Sequence, residues 1–147
     1  NKKEEKILIE KLNEFEKNNY TGNVKILFEI DYKPLKINKF LKNFSNKFGI
    51  NYDSGNSSAL NYNINEEFYY FNRVLNIHIK DRKFNGRSVR LGMGNLNLNK
   101  LISKLKKKKY KGNLILQTYI PKKNKKVLNE TLKNYNYLKK AIERNDN

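Results

Sequence analysis

VLNIHIK, residues 74–80, is the stretch whose reading decides the fold. Its length and its β-branched Val74, Ile77 and Ile79 suit an extended chain on a pleated, half-buried surface. It carries His78, the only histidine among 147 residues, and runs on at once into Lys80, Asp81 and Arg82. On both sides the apolar period lengthens from that of a strand to that of a helix. Upstream, Glu66 and Glu67 fall in the first turn of a helix expected to be capped by Asn65, the end that favours negative charge. Downstream, Leu98, Leu101, Ile102 and Leu105 line one face of another helix.

The same alternation extends outward. Ile7, Leu8, Leu12 and Phe15 mark a helix over 5–17, broken by Gly22. VKILFEID (24–31) reads as a strand. Pro34 opens a helix at a position where its missing N–H costs little, with Leu35, Ile37, Phe40, Leu41 and Phe44 as the expected buried face. FGINYD (48–53) and GNLILQTY (112–119) read as further strands. Leu128, Leu132, Tyr135, Leu138 and Ile142 mark the last helix. YTGNVKILFE and YKGNLILQ share a Tyr-x-Gly-Asn entry from helix into strand. Short strands alternating with amphipathic helices imply parallel strands joined by right-handed crossovers. The expected fold class is therefore α/β, with four parallel strands alternating with helices in one domain over 1–147.

Composition narrows the function. There is no cysteine, which excludes a disulfide framework and a thiolate metal site. No run of 18 apolar residues is present to span a membrane, and NKKEEKILIEKL lacks an apolar signal core, so a cytoplasmic location is expected. The first residue is Asn and the only methionine is Met93, so the chain reads as a piece of a longer product. The net charge of +18 is nearly all lysine, with five arginines, whereas phosphate and base recognition favours arginine forks. Lysine comes with abundant Asn, Ile and Tyr, as base-composition bias in the coding DNA would produce. The runs KLKKKKYKG and PKKNKK fall near helix ends, where cations suit the dipole. The excess reads as solvated faces rather than a nucleic-acid surface. No dinucleotide or P-loop glycine pattern follows a strand. LGMGN (91–95) has two glycines but no strand directly before it.

Near the end of each strand stands one polar residue: Glu29, Asp53, His78 and Gln117, spaced by 24, 25 and 39 residues. The first two intervals fit one strand-plus-helix unit, and the third holds an extra loop, 82–96. In a parallel barrel or sheet these ends share one face, the face that hosts catalysis in parallel barrels. Two carboxylates, an imidazole and an amide oxygen suit Mn²⁺, Mg²⁺, Co²⁺ or Zn²⁺. Polar strand ends also arise without a metal, and the residues alone leave both readings open.

NYDSGNSSALNYN, NIHIKDR, VRLGMGN and YKGNLILQTY resemble, in order and spacing, the xylose isomerase-like barrels, in particular sugar-phosphate isomerases and epimerases of the hexulose-phosphate type. The resemblance covers about residues 20–120. It implies the C-terminal half of a (β/α)₈ TIM barrel, from the fourth helix through the eighth with the first four strands absent, and a divalent metal at the ends of strands five to eight. Glu29 matches the strand-five ligand that also abstracts the proton, Asp53 the strand-six ligand and His78 the strand-seven ligand. Gln117 stands where the family usually has a second glutamate, a position that is both ligand and catalytic. An amide cannot take up a proton at neutral pH, so a single base, Glu29, fits isomerisation better than two-base epimerisation.

The implied activity is proton transfer beside a carbonyl through a cis-enediolate, on a sugar or sugar phosphate of carbohydrate metabolism. Lys80, Arg82 and Asn56, with the GRSVRLGMG loop, are candidates for holding a substrate phosphate, against a plain solvated loop. The implied partners are the missing N-terminal half-barrel or a second copy of the chain, and the half alone is expected to be inactive. Two readings compete. One is an abasic-site endonuclease on the same barrel, favoured by the charge but opposed by the single histidine. The other is a non-catalytic half-barrel remnant.

Overall fold

The computed structural model describes residues 2–19, 22–121 and 127–145. Helix α1 (Lys2–Asn19) precedes β1 (Ile26–Phe28), α2 (Pro34–Leu41) and β2 (Phe48–Asp53). Two short helices, α3 (Ser54–Ala59) and α4 (Ile64–Glu67), and a 3₁₀ turn at Phe71–Arg73 lead to β3 (Val74–Ile79). A hairpin of β4 (Asp81–Arg82) and β5 (Ser88–Val89), then α5 (Leu98–Lys107), β6 (Asn113–Leu116) and α6 (Val127–Glu143), complete the order. The sheet runs β1-β2-β3-β6 with every pairing parallel. This is the α/β architecture that the alternating periods imply.

Pleating sends successive side chains to opposite faces. One face is covered: Ile50, Tyr52, Val74, Ile77 and Ile79 are buried in one cluster with Ile37, Leu41, Leu98, Leu101, Ile102, Leu105 and Leu138 of the helices. Phe28, Phe40, Phe44 and Phe48 close the β1–α2 corner, with neighbouring ring centroids 5.0–5.6 Å apart. The other face is open. Among the described residues no helix layer covers it: Leu75 and Ile115 stay 37% and 44% exposed, while Asp53 at its C-terminal end is buried by the polar groups around it. Gly49 lets Leu27 and Leu75 close over it, since a Cβ there would lie 3.1 Å from each and 2.7 Å from the Arg73 carbonyl. A register shift between Ile50 and Asn51, opposite Val74 to Asn76, inserts one residue. This bulge places Val74 in the core and Leu75 on the open face.

Several expectations need correction. β1 and β6 are shorter than VKILFEID and GNLILQTY, so Glu29 and Gln117 each follow the last strand residue. Both strands have a partner on one side only, so their ladders stop early. Leu35 is exposed, because it lies two residues, about 200° of helix, from Ile37 on the buried stripe. Asn63, not Asn65, caps α4: its side chain accepts the Asn65 N–H at 2.9 Å. In α6 Leu128, Leu132 and Tyr135 are exposed, and the buried line is Glu130, Asn134, Leu138 and Ala141. Polar docking explains this: Arg90 clasps Glu130 through two bonds of 2.7 Å, and Asn134 accepts the Leu91 N–H at 2.8 Å. KLKKKKYKG does straddle the end of α5, whereas residues 122–126 of PKKNKK lie outside the described residues. Among the described residues no helix is long and apolar enough to cross a membrane.

Candidate metal centre

The C-terminal ends of β1, β2 and β3 bring Glu29, Asp53 and His78 together on the open side, and one ligand atom from each lies within 4.8 Å of the others. The parallel register sets Asp53 directly beside His78. Glu29 Oε2 is 3.5 Å from His78 Nδ1. Asn51, two residues before Asp53 on the same face, donates from Nδ2 to Glu29 Oε2 at 2.6 Å and lies 3.3–3.4 Å from the His78 ring nitrogens. Asn76 in turn donates to Asn51 Oδ1. The asparagine pair therefore fixes the Glu29 carboxylate against the imidazole ring.

Asp53 divides its two oxygens between local structure and the site. Oδ1 accepts the Asn56 N–H at 2.9 Å, capping α3, an Asx preference of helix starts. Oδ2 faces the Lys80 ammonium at 3.5 Å. Gln117 reaches the group through the same ammonium, 3.4 Å from its Oε1, while its N–H donates to the Ile79 carbonyl at 3.1 Å. Arg82 and Asn56 pair with each other at 2.7 Å, and Arg82 also holds the Gly86 carbonyl at 3.0 Å. Lys80 thus lies at the inner site, with Arg82 and Asn56 at the hairpin beside it.

Asp81 is fully buried and accepts the N–H groups of Gly92, Gly94 and Leu96 at 2.9–3.0 Å. It anchors the LGMGN loop, whose amides are taken within the chain and not turned toward a ligand phosphate: Gly92 and Gly94 by this carboxylate, Leu91 by Asn134, and Met93 and Asn95 by the carbonyls of Arg90 and Arg82. Gly94 has no room for a side chain, since a Cβ there would strike Asp81 and the Arg82 carbonyl. Behind β2, Tyr52 donates to Glu67 Oε2 at 3.0 Å, and burial pushes the Glu67 carboxyl above the usual carboxylate range. Neither Asn51 nor Asp81 announces its role in the sequence. The signal that could have found Asn51 is its period-two offset from Asp53.

Two carboxylates and an imidazole converging from three neighbouring strands are a set that could hold a metal ion, and the amide oxygen of Gln117 meets the same Lys80 ammonium as Asp53. A family model described as "Xylose isomerase-like TIM barrel" matches residues 2–141. Among solved structures, a xylose isomerase domain protein from Planctomyces limnophilus aligns with TM-score 0.66 and 21% identity over 80% of this chain and 45% of its own. A D-tagatose 3-epimerase-like protein aligns with TM-score 0.67 and 17% identity over 94% of this chain and 53% of its own. A xylose isomerase domain protein from Alicyclobacillus acidocaldarius subsp. acidocaldarius gives TM-score 0.58 and 16% identity, covering 78% of this chain and 44% of that one. At these identities the likeness speaks for the fold, and the chain spans about half the length of each of these structures. No curated protein is a significant match. With a parallel sheet of this order and a family match along nearly its whole length, the chain belongs to the xylose isomerase-like TIM barrel family.

Proposed function

We propose that the chain carries the metal-binding half of a sugar or sugar-phosphate isomerase or epimerase, working by proton transfer through a cis-enediolate. The observation that carries this reading is the convergence of Glu29, Asp53 and His78 at three adjacent strand ends. In this reading the 147 residues are one partial barrel domain, helix four through helix eight, in a cytoplasmic enzyme. Glu29, Asp53, His78 and Gln117 would hold a divalent metal, which when bound would supply Lewis-acid polarisation of the substrate.

Glu29 is the base. Asn51 holds its Oε2, which leaves Oε1 to take the proton from the carbon beside the carbonyl. His78 stays an orienting ligand beside Glu29. Gln117 keeps the fourth position neutral and offers no second base, so isomerisation is favoured over epimerisation. Arg82 and Asn56, paired with each other at the hairpin, and Lys80 beside them are the groups to meet a phosphate. The open sheet face needs a covering wall, either an N-terminal half-barrel or a second copy, and the chain alone is expected to turn over little substrate. The test is a scan of aldose and ketose phosphates with Mn²⁺, with the chain alone and joined to a complementary half-barrel. Activity in the joined form, lost in Glu29→Gln, is the expected result. A joined, folded barrel with no activity on any sugar phosphate would overturn the reading. The charge of +18 favours a second reading, cleavage of abasic DNA, which a nicking assay with the same protein decides.

A further inference from the structure

Lys80 is held from its backbone to its tip. Its backbone N–H donates to Ser54 Oγ at 2.9 Å, and the same hydroxyl donates back to the Lys80 backbone carbonyl at 2.7 Å. Ser54 is fully buried, so this clasp is shielded from water. The aliphatic stem then crosses Gly55. A Cβ on Gly55 would lie 2.6 Å from Lys80 Cγ and 2.8 Å from Cδ, so the missing side chain makes the slot. At the tip, Nζ lies 3.5 Å from Asp53 Oδ2 and 3.4 Å from Gln117 Oε1. The Lys80 side chain is 22% exposed and that of Asp53 only 2%, so solvent screens this contact weakly.

Asp53 has one oxygen left after capping α3, and the ammonium faces it. A cation held by Glu29, Asp53 and His78 would draw on the same Asp53 carboxylate that the Lys80 ammonium faces. We infer that Lys80 is a built-in counter-cation that competes with the divalent metal for Asp53 and Gln117 and so sets a weak, exchangeable metal affinity. The inference rests on the metal reading above and adds a determinant of affinity to it. Three consecutive residues serve the device: Asp53 supplies the shared carboxylate, Ser54 the clasp and Gly55 the slot. Gln117 belongs to it too. A glutamate there would pair with Lys80, whereas the neutral amide leaves the ammonium leaning on Asp53.

The test is calorimetric titration of the full chain with Mn²⁺, for the wild type, Lys80→Ala, Gly55→Ala and the double variant, with circular dichroism as the check on folding. Lys80→Ala is expected to bind Mn²⁺ about tenfold tighter or more, since it removes a like charge from a poorly screened site. Gly55→Ala, which displaces the stem, is expected to tighten binding in the same direction and to add nothing once Lys80 is Ala. A merely structural lysine would not give this non-additive pattern. Wild-type binding that Lys80→Ala leaves unchanged or weakens overturns the inference and leaves the metal reading standing. Binding that appears only in Lys80→Ala supports the inference. Absence of binding in both overturns the inference and the metal reading together.

Discussion

The two faces of the sheet obey different rules. On the covered face Phe48, Ile77 and Ile79 are at most 1% exposed and pack against helices. On the open face the apolar residues, Leu75 and Ile115, remain largely accessible, and the polar ones bond chiefly to one another, Asn76 to Asn51, Asn51 to Glu29, Lys80 to Asp53. Stability therefore comes from one side, and the polar cluster is assembled on the other. The strands serve both at once because a period of two separates Ile77 and Ile79 from His78 and Lys80. Close polar contacts on the open face are set by strand register and bonding, with no helix layer to press them together.

Paired truncations separate the two faces by the largest expected effect. Ile77→Ala, in the packed layer, is expected to cost about 2–5 kcal/mol in denaturant unfolding. Ile115→Ala, on the open face, is expected to stay within about 1 kcal/mol when the chain is dilute. Equal costs would mean that the open face is covered in solution. The unpaired outer edges of β1 and β6 invite such covering, so sedimentation is expected to show concentration-dependent association, which Ile115→Lys weakens.

A smaller effect comes from the carboxylate that organises the loop beside the site. Asp81→Asn keeps the shape but replaces one acceptor oxygen by a donor facing backbone N–H groups, and is expected to cost about 1.5–3 kcal/mol. Metal affinity is expected to change little, because Asp81 is not among the converging ligands. A large loss of metal binding in a folded Asp81→Asn chain would show that the loop and the ligands are one unit.

The smallest expected effect lies at Glu67, behind β2. Burial raises its carboxyl above the usual range, so the neutral form suits the fold. Its contribution is fully present below the ordinary carboxylate pKa and is lost as pH rises through the raised value. Glu67→Gln, which can still accept the Tyr52 hydroxyl, is expected to melt slightly higher than the wild type at neutral pH and at the same temperature in acid. A variant that melts lower at neutral pH would show that the charge itself is needed there.

The alternating periods made the sheet and its helices legible, because strands and helices of this size bury one face each. Glu29, Asp53 and His78 were legible because parallel topology carries strand ends to one side, and the structure does bring these three together. Asn51 was not: an asparagine inside a strand looks the same whether it orients a carboxylate or faces water. Asp81 was not legible either: it stands between Lys80 and Arg82, yet it is fully buried, because three backbone N–H groups replace the water it gives up. The α6 stripe misled because its docking is polar, through Glu130 and Asn134, and hydrophobic spacing does not register such contacts. The bulge at Asn51 shifts Leu75 out of the core, and its cause is the pairing between strands, not the composition of either one.

The central claim is that the polar cluster on the open face is a cation site. Calorimetric titration of the full chain with Mn²⁺, beside His78→Ala, tests it most directly. His78 is half-buried and lies outside the packed layer, so its truncation is expected to leave the metal-free melting temperature nearly unchanged. The account expects one Mn²⁺ per wild-type chain and none in a folded His78→Ala chain. Equal stoichiometry and affinity with and without His78, in the wild-type and the Lys80→Ala background alike, would contradict it.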